Sequence, residues 1–183
     1  MRRIEGFALV CELGCIADAE GRMPDALTTE AEWRFFQAGL DRADVIVLGR
    51  ASHEATPNVK GRRRLIVSRQ GAALERLDEV HWRWDPERAA IDEALAGVDG
   101  ETARIAVVGG RDVFGLFLTG PARFSTFFLS RLAGVRLTGG RHVFPGMPDG
   151  APHAPLARAG CRRAATRRLD SRCVVEAWRQ VDA

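Results

Sequence analysis

Three short segments place small residues and arginines directly after apolar runs: Gly49-Arg50-Ala51-Ser52, Ser68-Arg69 and Gly109-Gly110-Arg111-Asp112. Glycine lets a backbone approach a ligand closely, and a helix start offers unpaired N–H groups to an anion. Arg50 and Arg69 add charged donors suited to phosphate oxygens. If the preceding runs are strands of an open α/β sheet, all three segments lie at carboxyl ends, where such sheets bind ligands. Each segment alone reads more readily as a tight turn than as a cofactor site. Three in one short chain point to a phosphorylated ligand. The Gly-x-Gly-x-x-Gly fingerprint of the dinucleotide-binding fold is absent.

The elements that must position these segments alternate along the chain. Phe7–Cys11, Val45–Leu48 ending in Gly49, Arg64–Ser68, Ile105–Val108 and Phe124–Ser130 read as buried strands, with His81–Trp84 a further candidate. Thr28 or Thr29 caps a helix whose apolar face includes Trp33, Phe36 and Leu40. A short helix starts near Ser52, Asp85-Pro86 opens another through about Leu95, and a third runs through Val113, Phe114 and Phe117. After an irregular glycine- and proline-rich stretch, Ala164–Arg168 and Cys173–Arg179 read as a closing antiparallel hairpin. The pattern predicts an α/β fold of three layers: a mostly parallel central sheet flanked by helices, with that hairpin at its end. With no repeat or linker, residues 1–183 are expected to form a single domain.

Composition narrows the function classes. At 46% hydrophobic and 28% charged, the chain is ordinary for a globular protein. No apolar run approaches the ~18 residues of a membrane helix, and no signal peptide opens the chain, so a cytoplasmic protein is expected, with no membrane partner. The net charge of +3 suits an anionic ligand without demanding a nucleic acid. Lys60 is the single lysine; arginine supplies the remaining basic charge. Cys11, Cys15, Cys161 and Cys173 form no Cys-x-x-Cys pair and no zinc-ligand spacing, so free thiols and no metal are expected.

In order along the chain, these motifs resemble the dihydrofolate reductase superfamily, which includes the pyrimidine reductases of riboflavin synthesis. Gly21-Arg22-Met23-Pro24 resembles its mobile active-site loop, and Glu32-Trp33-Arg34-Phe35-Phe36 its substrate helix. Val45–Ser52 and Gly61–Arg69 resemble its two NADPH-binding strand ends with the basic turn between them. Val107–Phe114 resembles its Gly-Gly segment, which carries a cis peptide. Leu129–Leu132, with Phe144-Pro145 downstream, resembles the strand closing the substrate pocket.

The resemblance implies an NADPH-dependent reductase transferring a hydride to a pterin or pyrimidine-like heterocycle, in the manner of a dihydrofolate reductase. Gly49, Arg50 and Ser52 would hold the pyrophosphate and the adenosine phosphate side. Ser68 and Arg69 would recognise the 2′-phosphate. Gly109, Gly110, Arg111, Asp112 and Val113 would meet the pyrophosphate at a helix N-terminus, with Ile16 and Ala17 near the nicotinamide. Arg62 matches the position that grips a carboxylate on the substrate tail; the competing reading of Arg62-Arg63-Arg64 is a solvated turn. Glu32 is the expected acid, binding an amino-substituted ring and stabilising its protonated form. Phe36, four residues on, would pack on that ring, and Ser130 would partner the acid. Glu30 competes with Glu32, because gap-free counting from Met23-Pro24 favours it.

Asp25 follows Pro24 where dihydrofolate reductases carry a tryptophan, which opens the substrate to a pyrimidine relative and keeps Asp25 in view as an acid. The alternative substrate is a ribosyl-aminopyrimidine phosphate, with Arg62 facing a phosphate. No zinc-ligand segment precedes the domain, so a bifunctional riboflavin enzyme is not expected. Two other classes compete: a non-catalytic NADPH-binding scaffold, and a nucleic-acid module using Arg62–Arg64, Arg162-Arg163 and Arg167-Arg168. The latter lacks adjacent aromatic platforms in sequence, so no nucleic-acid partner is expected. A homodimer is left open.

Overall fold

The computed structural model describes residues 2–181. In chain order the elements are β1 (Arg3–Val10), β2 (Cys15–Ala17), a 3-10 turn (Asp25–Leu27), α1 (Glu30–Asp41), β3 (Val45–Gly49), α2 (Arg50–Ala55), β4 (Arg64–Val67) and β5 (Leu74–Arg76). They continue as β6 (His81–Trp84), α3 (Ile91–Ala96), β7 (Arg104–Val107), α4 (Arg111–Thr119), β8 (Thr126–Leu132), β9 (Arg141–His142), α5 (Ala154–Arg158), β10 (Cys161–Arg168) and β11 (Cys173–Gln180). Nine strands form one sheet in the order β10-β11-β8-β1-β7-β3-β4-β6-β5; β2 and β9 form a small second one. The six strands from β8 to β6 are parallel, and the β10-β11 hairpin and β5 add antiparallel edges. The expected α/β class and closing hairpin are both present.

The apolar runs become central strands because both faces are covered. Val45, Ile46, Val47 and Leu48 are buried on alternating sides. One face carries Phe7, Ile46, Leu48, Ile66 and Ala106 against Leu40, Phe35 and Phe36 of α1. The other carries Val45, Val47, Leu65, Ile105 and Val107 against α3 and α4, through Leu95, Phe114 and Phe117. A third cluster at the carboxyl end joins Leu9, Cys11, Cys15, Leu27 and Cys173. Thr29 is the N-cap of α1, accepting a hydrogen bond from the Glu32 N–H at 3.1 Å.

Several expectations change. Trp33 is not on the buried face of α1: it is 54% exposed, and Phe35 takes its place toward the sheet. Asp85 does not start the helix. Its buried carboxylate accepts from the Glu87 N–H at 3.0 Å and pairs with Arg88, holding a separate turn. Extended backbone at Ala90 then delays α3 to Ile91. The helix expected near Ser52 begins at Arg50, directly after the β3 end. The β2-β9 pair, β5 and α5 carry too little periodicity for sequence to show. No helix among the described residues is long and apolar enough to cross a membrane.

Candidate active site

The ends of β3 and β7 are tied together by a hydrogen bond from the Gly49 N–H to the Gly109 carbonyl, 2.7 Å. A Cβ on Gly49 would lie 3.4 Å from Val113 and 3.7 Å from the Gly110 nitrogen, so β3 meets the start of α4 with only glycine between them. Gly109 has φ +98°, a conformation that favours glycine, and the Gly109–Gly110 peptide is cis. Gly110 caps α4, and a Cβ there would meet nothing within 4 Å. Open space thus faces a helix whose first-turn N–H groups have no partner of their own. Glycine backbone, open volume and a helix start together fit a pyrophosphate.

The β4 end lies alongside, because Gly49 pairs with Val67. Ser68 is buried, and its Oγ accepts from the Gln70 N–H at 3.3 Å, which fixes the turn and leaves the hydroxyl proton free to donate. Arg69 and Arg50 are exposed; Arg50 pairs with Glu54 of its own helix at 3.5 Å. Ser52 is half-buried. Arg111 and Asp112 are exposed and pair with each other at 3.2 Å. All the expected cofactor residues from Gly49 to Ser68 and from Gly109 to Val113 therefore fall on one rim.

Glu32 sits on the other side of the β1 end. It is 8% exposed, against the carboxyl half of β8. Burial pushes its carboxyl up to about 7, and the Ser130 hydroxyl pulls in the opposite direction. Ser130 is level with Leu9 of β1 and Val175 of β11, on the face that α1 covers. Cys173 completes this surround: its thiol is pushed up to about 12, first by burial and then by the charge of Glu32. Sequence reasoning missed Cys173, because 141 residues separate it from Glu32 and no local pattern links them.

The Glu30 side chain, by contrast, is 83% exposed and pairs with Arg34 one turn on. Asp25 is also exposed, in the 3-10 turn. Phe36 is half-buried and packs edge-on to Phe7 at 6.3 Å, with exposed Trp33 tilted against it at 5.9 Å. Ile16 is half-buried and Ala17 buried; both lie in β2, just after the β1 end.

Arg62 lies beside the carboxyl half of α1, level with Gln37 and Asp41, between about 8 and about 14 Å along the helix axis from Glu32 at ~1.5 Å per residue. Its guanidinium is already engaged, by Gln37 at 2.8 Å and by Asp41. The basic run is not a solvated turn either. Arg64 is buried, donating to the Thr56 carbonyl at 2.8 Å, and Arg63 donates to the Glu101 carbonyl at 2.9 Å. In β10, Arg163 pairs with Glu176 at 2.9 Å and Arg167 lies over Phe35. Neither nearby aromatic is an open stacking platform: Phe35 is half-buried and Trp178 buried. Among the described residues, no group of three or more histidine, cysteine or carboxylate side chains is placed to hold a metal.

No family model matches the chain, and no curated protein matches it in sequence. Solved structures do match its shape. A protein assigned to riboflavin biosynthesis from Shewanella sp. PV-4 superposes with a TM-score of 0.69 at 13% identity, covering 98% of this chain and 99% of that one. A diaminohydroxyphosphoribosylaminopyrimidine deaminase/5-amino-6-(5-phosphoribosylamino)uracil reductase from Thermotoga maritima superposes at 0.68 and 14% identity. That match covers 98% of this chain but 57% of the other. Strand order, glycine rim and these superpositions together give the chain a dihydrofolate reductase-like fold, the one its motifs resemble.

Proposed function

We propose that this protein is an NADPH-dependent reductase of a pterin or pyrimidine-like heterocycle. One observation carries the reading: the phosphate-fitting rim and the buried acid lie level with each other across the end of β1. Val107 is level with Gly6, which brings Gly109 to the height of Ala8; Ser130 is level with Leu9. Only β1 separates β7 from β8, so the two halves are about 10 Å apart at ~4.8 Å per strand. That is room for two flat rings side by side.

The chain's own residues then do the following. Gly49, Gly110 and the first turn of α4 hold phosphates, and Ser68 with Arg69 selects the extra phosphate of NADPH over NADH. When bound, the dinucleotide supplies the hydride. Glu32 binds the ring's amino and ring-nitrogen edge. A carboxyl near 7 both holds and gives up a proton at neutral pH, so it stabilises a protonated ring, whose C=N bond accepts a hydride more readily. The Ser130 hydroxyl orients the acid, and Phe36 packs against the substrate. The second reading is 5-amino-6-(5-phosphoribosylamino)uracil, the compound named for the Thermotoga neighbour's reductase.

The test compares thermal shifts with NADPH and NADH. A larger shift with NADPH, lost in Arg69→Ala, is expected. Equal shifts in the unaltered protein would remove the 2′-phosphate role of Arg69, and no shift with either would remove the cofactor assignment. NADPH oxidation is then followed with dihydrofolate and with the aminopyrimidine.

A further inference from the structure

A second concavity, of ≈ 380 Å³, opens between α1 and the β10-β11 hairpin. Ala31, Phe35, Ala38 and Arg42 form its helix wall, recurring every three or four residues as one stripe. At roughly 100° per residue, Glu32 lies about a quarter turn round the helix from that stripe. Arg167 and Leu169 form the opposite wall, and Arg34 stands at the edge. The groove is independent of the reductase reading: it shares no lining residue with the glycine rim or with the surround of Glu32.

Its charge is of one sign. Arg34, Arg42 and Arg167 line it, and no carboxylate does. Arg167 lies over the Phe35 ring, 5.9 Å from its centroid, a contact that gives its N–H donors no acceptor oxygen. Arg34 reaches Glu30 at 3.4 Å, but the two side chains are 72% and 83% exposed, so solvent screens the pair and a ligand can replace it. Asp170, next to Leu169, is committed to the hairpin turn, where its carboxylate accepts from the Arg172 and Cys173 N–H groups at 2.7 Å. The floor is apolar and fixed. Ala31 and Ala38 offer only methyl groups, and Phe35 is held from beneath by Phe7 and Phe128.

We propose that this groove is a second binding site, for a small aromatic anion such as an aryl carboxylate, sulfonate or phosphate. The anionic group sits between Arg34 and Arg167, level with Phe35. It stays away from the carbonyl end of α1, whose dipole disfavours negative charge. The ring lies over Ala38 toward Arg42, and a guanidinium both pairs with an anion and stacks on a flat ring. An inorganic anion would leave the apolar floor uncovered. A neutral ring would leave the arginines uncompensated.

The test uses the full chain at neutral pH with two probes: 8-anilinonaphthalene-1-sulfonate and N-phenyl-1-naphthylamine, the same ring system without the sulfonate. Fluorescence titration follows both. Saturable binding of the sulfonate is expected, at least tenfold tighter than that of the neutral amine. Arg34→Gln combined with Arg167→Gln should erase this preference. Ala38→Trp, which fills the groove without removing a charge, should weaken the sulfonate at least tenfold. Ala38, Arg34 and Arg167 are exposed, so these variants should keep the Tm of the unaltered protein. Arg69→Ala, on the cofactor rim, should leave sulfonate binding unchanged. No saturable binding in the unaltered protein, equal affinity for the two probes, undiminished binding in Ala38→Trp, or an equal loss in Arg69→Ala would each overturn the proposal. Neither probe requires turnover or NADPH, so failure of the reductase reading would leave these outcomes as they stand.

Discussion

Replacing Glu32 with glutamine should make the protein more stable above neutral pH while abolishing its proposed chemistry. The carboxyl titrates near 4.5 in an unfolded chain and at about 7 when buried here. Below 4.5 both states hold the proton and the group contributes no pH dependence. Between 4.5 and 7 the folded state keeps a proton that the unfolded state has lost, so stability falls by about 1.4 kcal/mol per pH unit. Above 7 the folded state carries the ionised carboxylate, and about 3 kcal/mol has been lost. Glutamine fills the same space with no charge to bury. The stability difference, Glu32→Gln minus unaltered, should therefore widen by about 3 kcal/mol between pH 4.5 and pH 8. For a chain of this length that corresponds to about 6–12 °C in Tm. Urea unfolding at a series of pH values, with m-values compared, measures it directly. The turnover of dihydrobiopterin or dihydrofolate should fall at least a hundredfold in the same variant. A stability difference that stays constant across this pH range would refute the claim that Glu32 is desolvated. A variant with full turnover would refute its role as the acid.

Two glycine substitutions separate ligand space from packing. Gly49→Ala places its Cβ in ordinary contact with Val113, so the protein alone should keep its stability within about 0.5 kcal/mol, yet NADPH binding should weaken at least tenfold by calorimetry. Gly6→Ala has no such room: its Cβ would lie 2.3 Å from the fully buried Phe127 ring and 2.8 Å from Phe124. It should cost about 1–3 kcal/mol in thermal or urea unfolding, and a loss under 0.5 kcal/mol would show that this aromatic layer yields.

Local pattern made the central strands legible. Val45–Leu48, Arg64–Val67 and Ile105–Val107 announce themselves because strands buried on both faces must be apolar throughout. Thr29 is readable as a cap because its side chain serves the backbone three residues on. Helix α3 was misplaced because Asp85 and Pro86 have the chemistry of a helix start, and only the buried turn around Arg88 shows that they serve another purpose. The β2-β9 pair was invisible because strands of three and two residues carry no periodicity.

The amino-acid order by itself determined which strand ends carry glycine, and hence where a backbone can be approached closely. It could not say that they stand on one rim, because strand adjacency follows from which faces bury each other across the sheet. Nor could it choose between Glu30 and Glu32. Both occupy the first turn of α1, and only packing against Ser130 and Cys173 desolvates one while the other pairs with Arg34 in solvent. Arg62 shows the same division: its charge is written in the chain, but its occupation by Asp41 and Gln37 depends on α1 lying beside the turn before β4. Residue type sets what a group can do; burial and neighbours, which tertiary structure alone supplies, decide whether its charge is free, spent or suppressed.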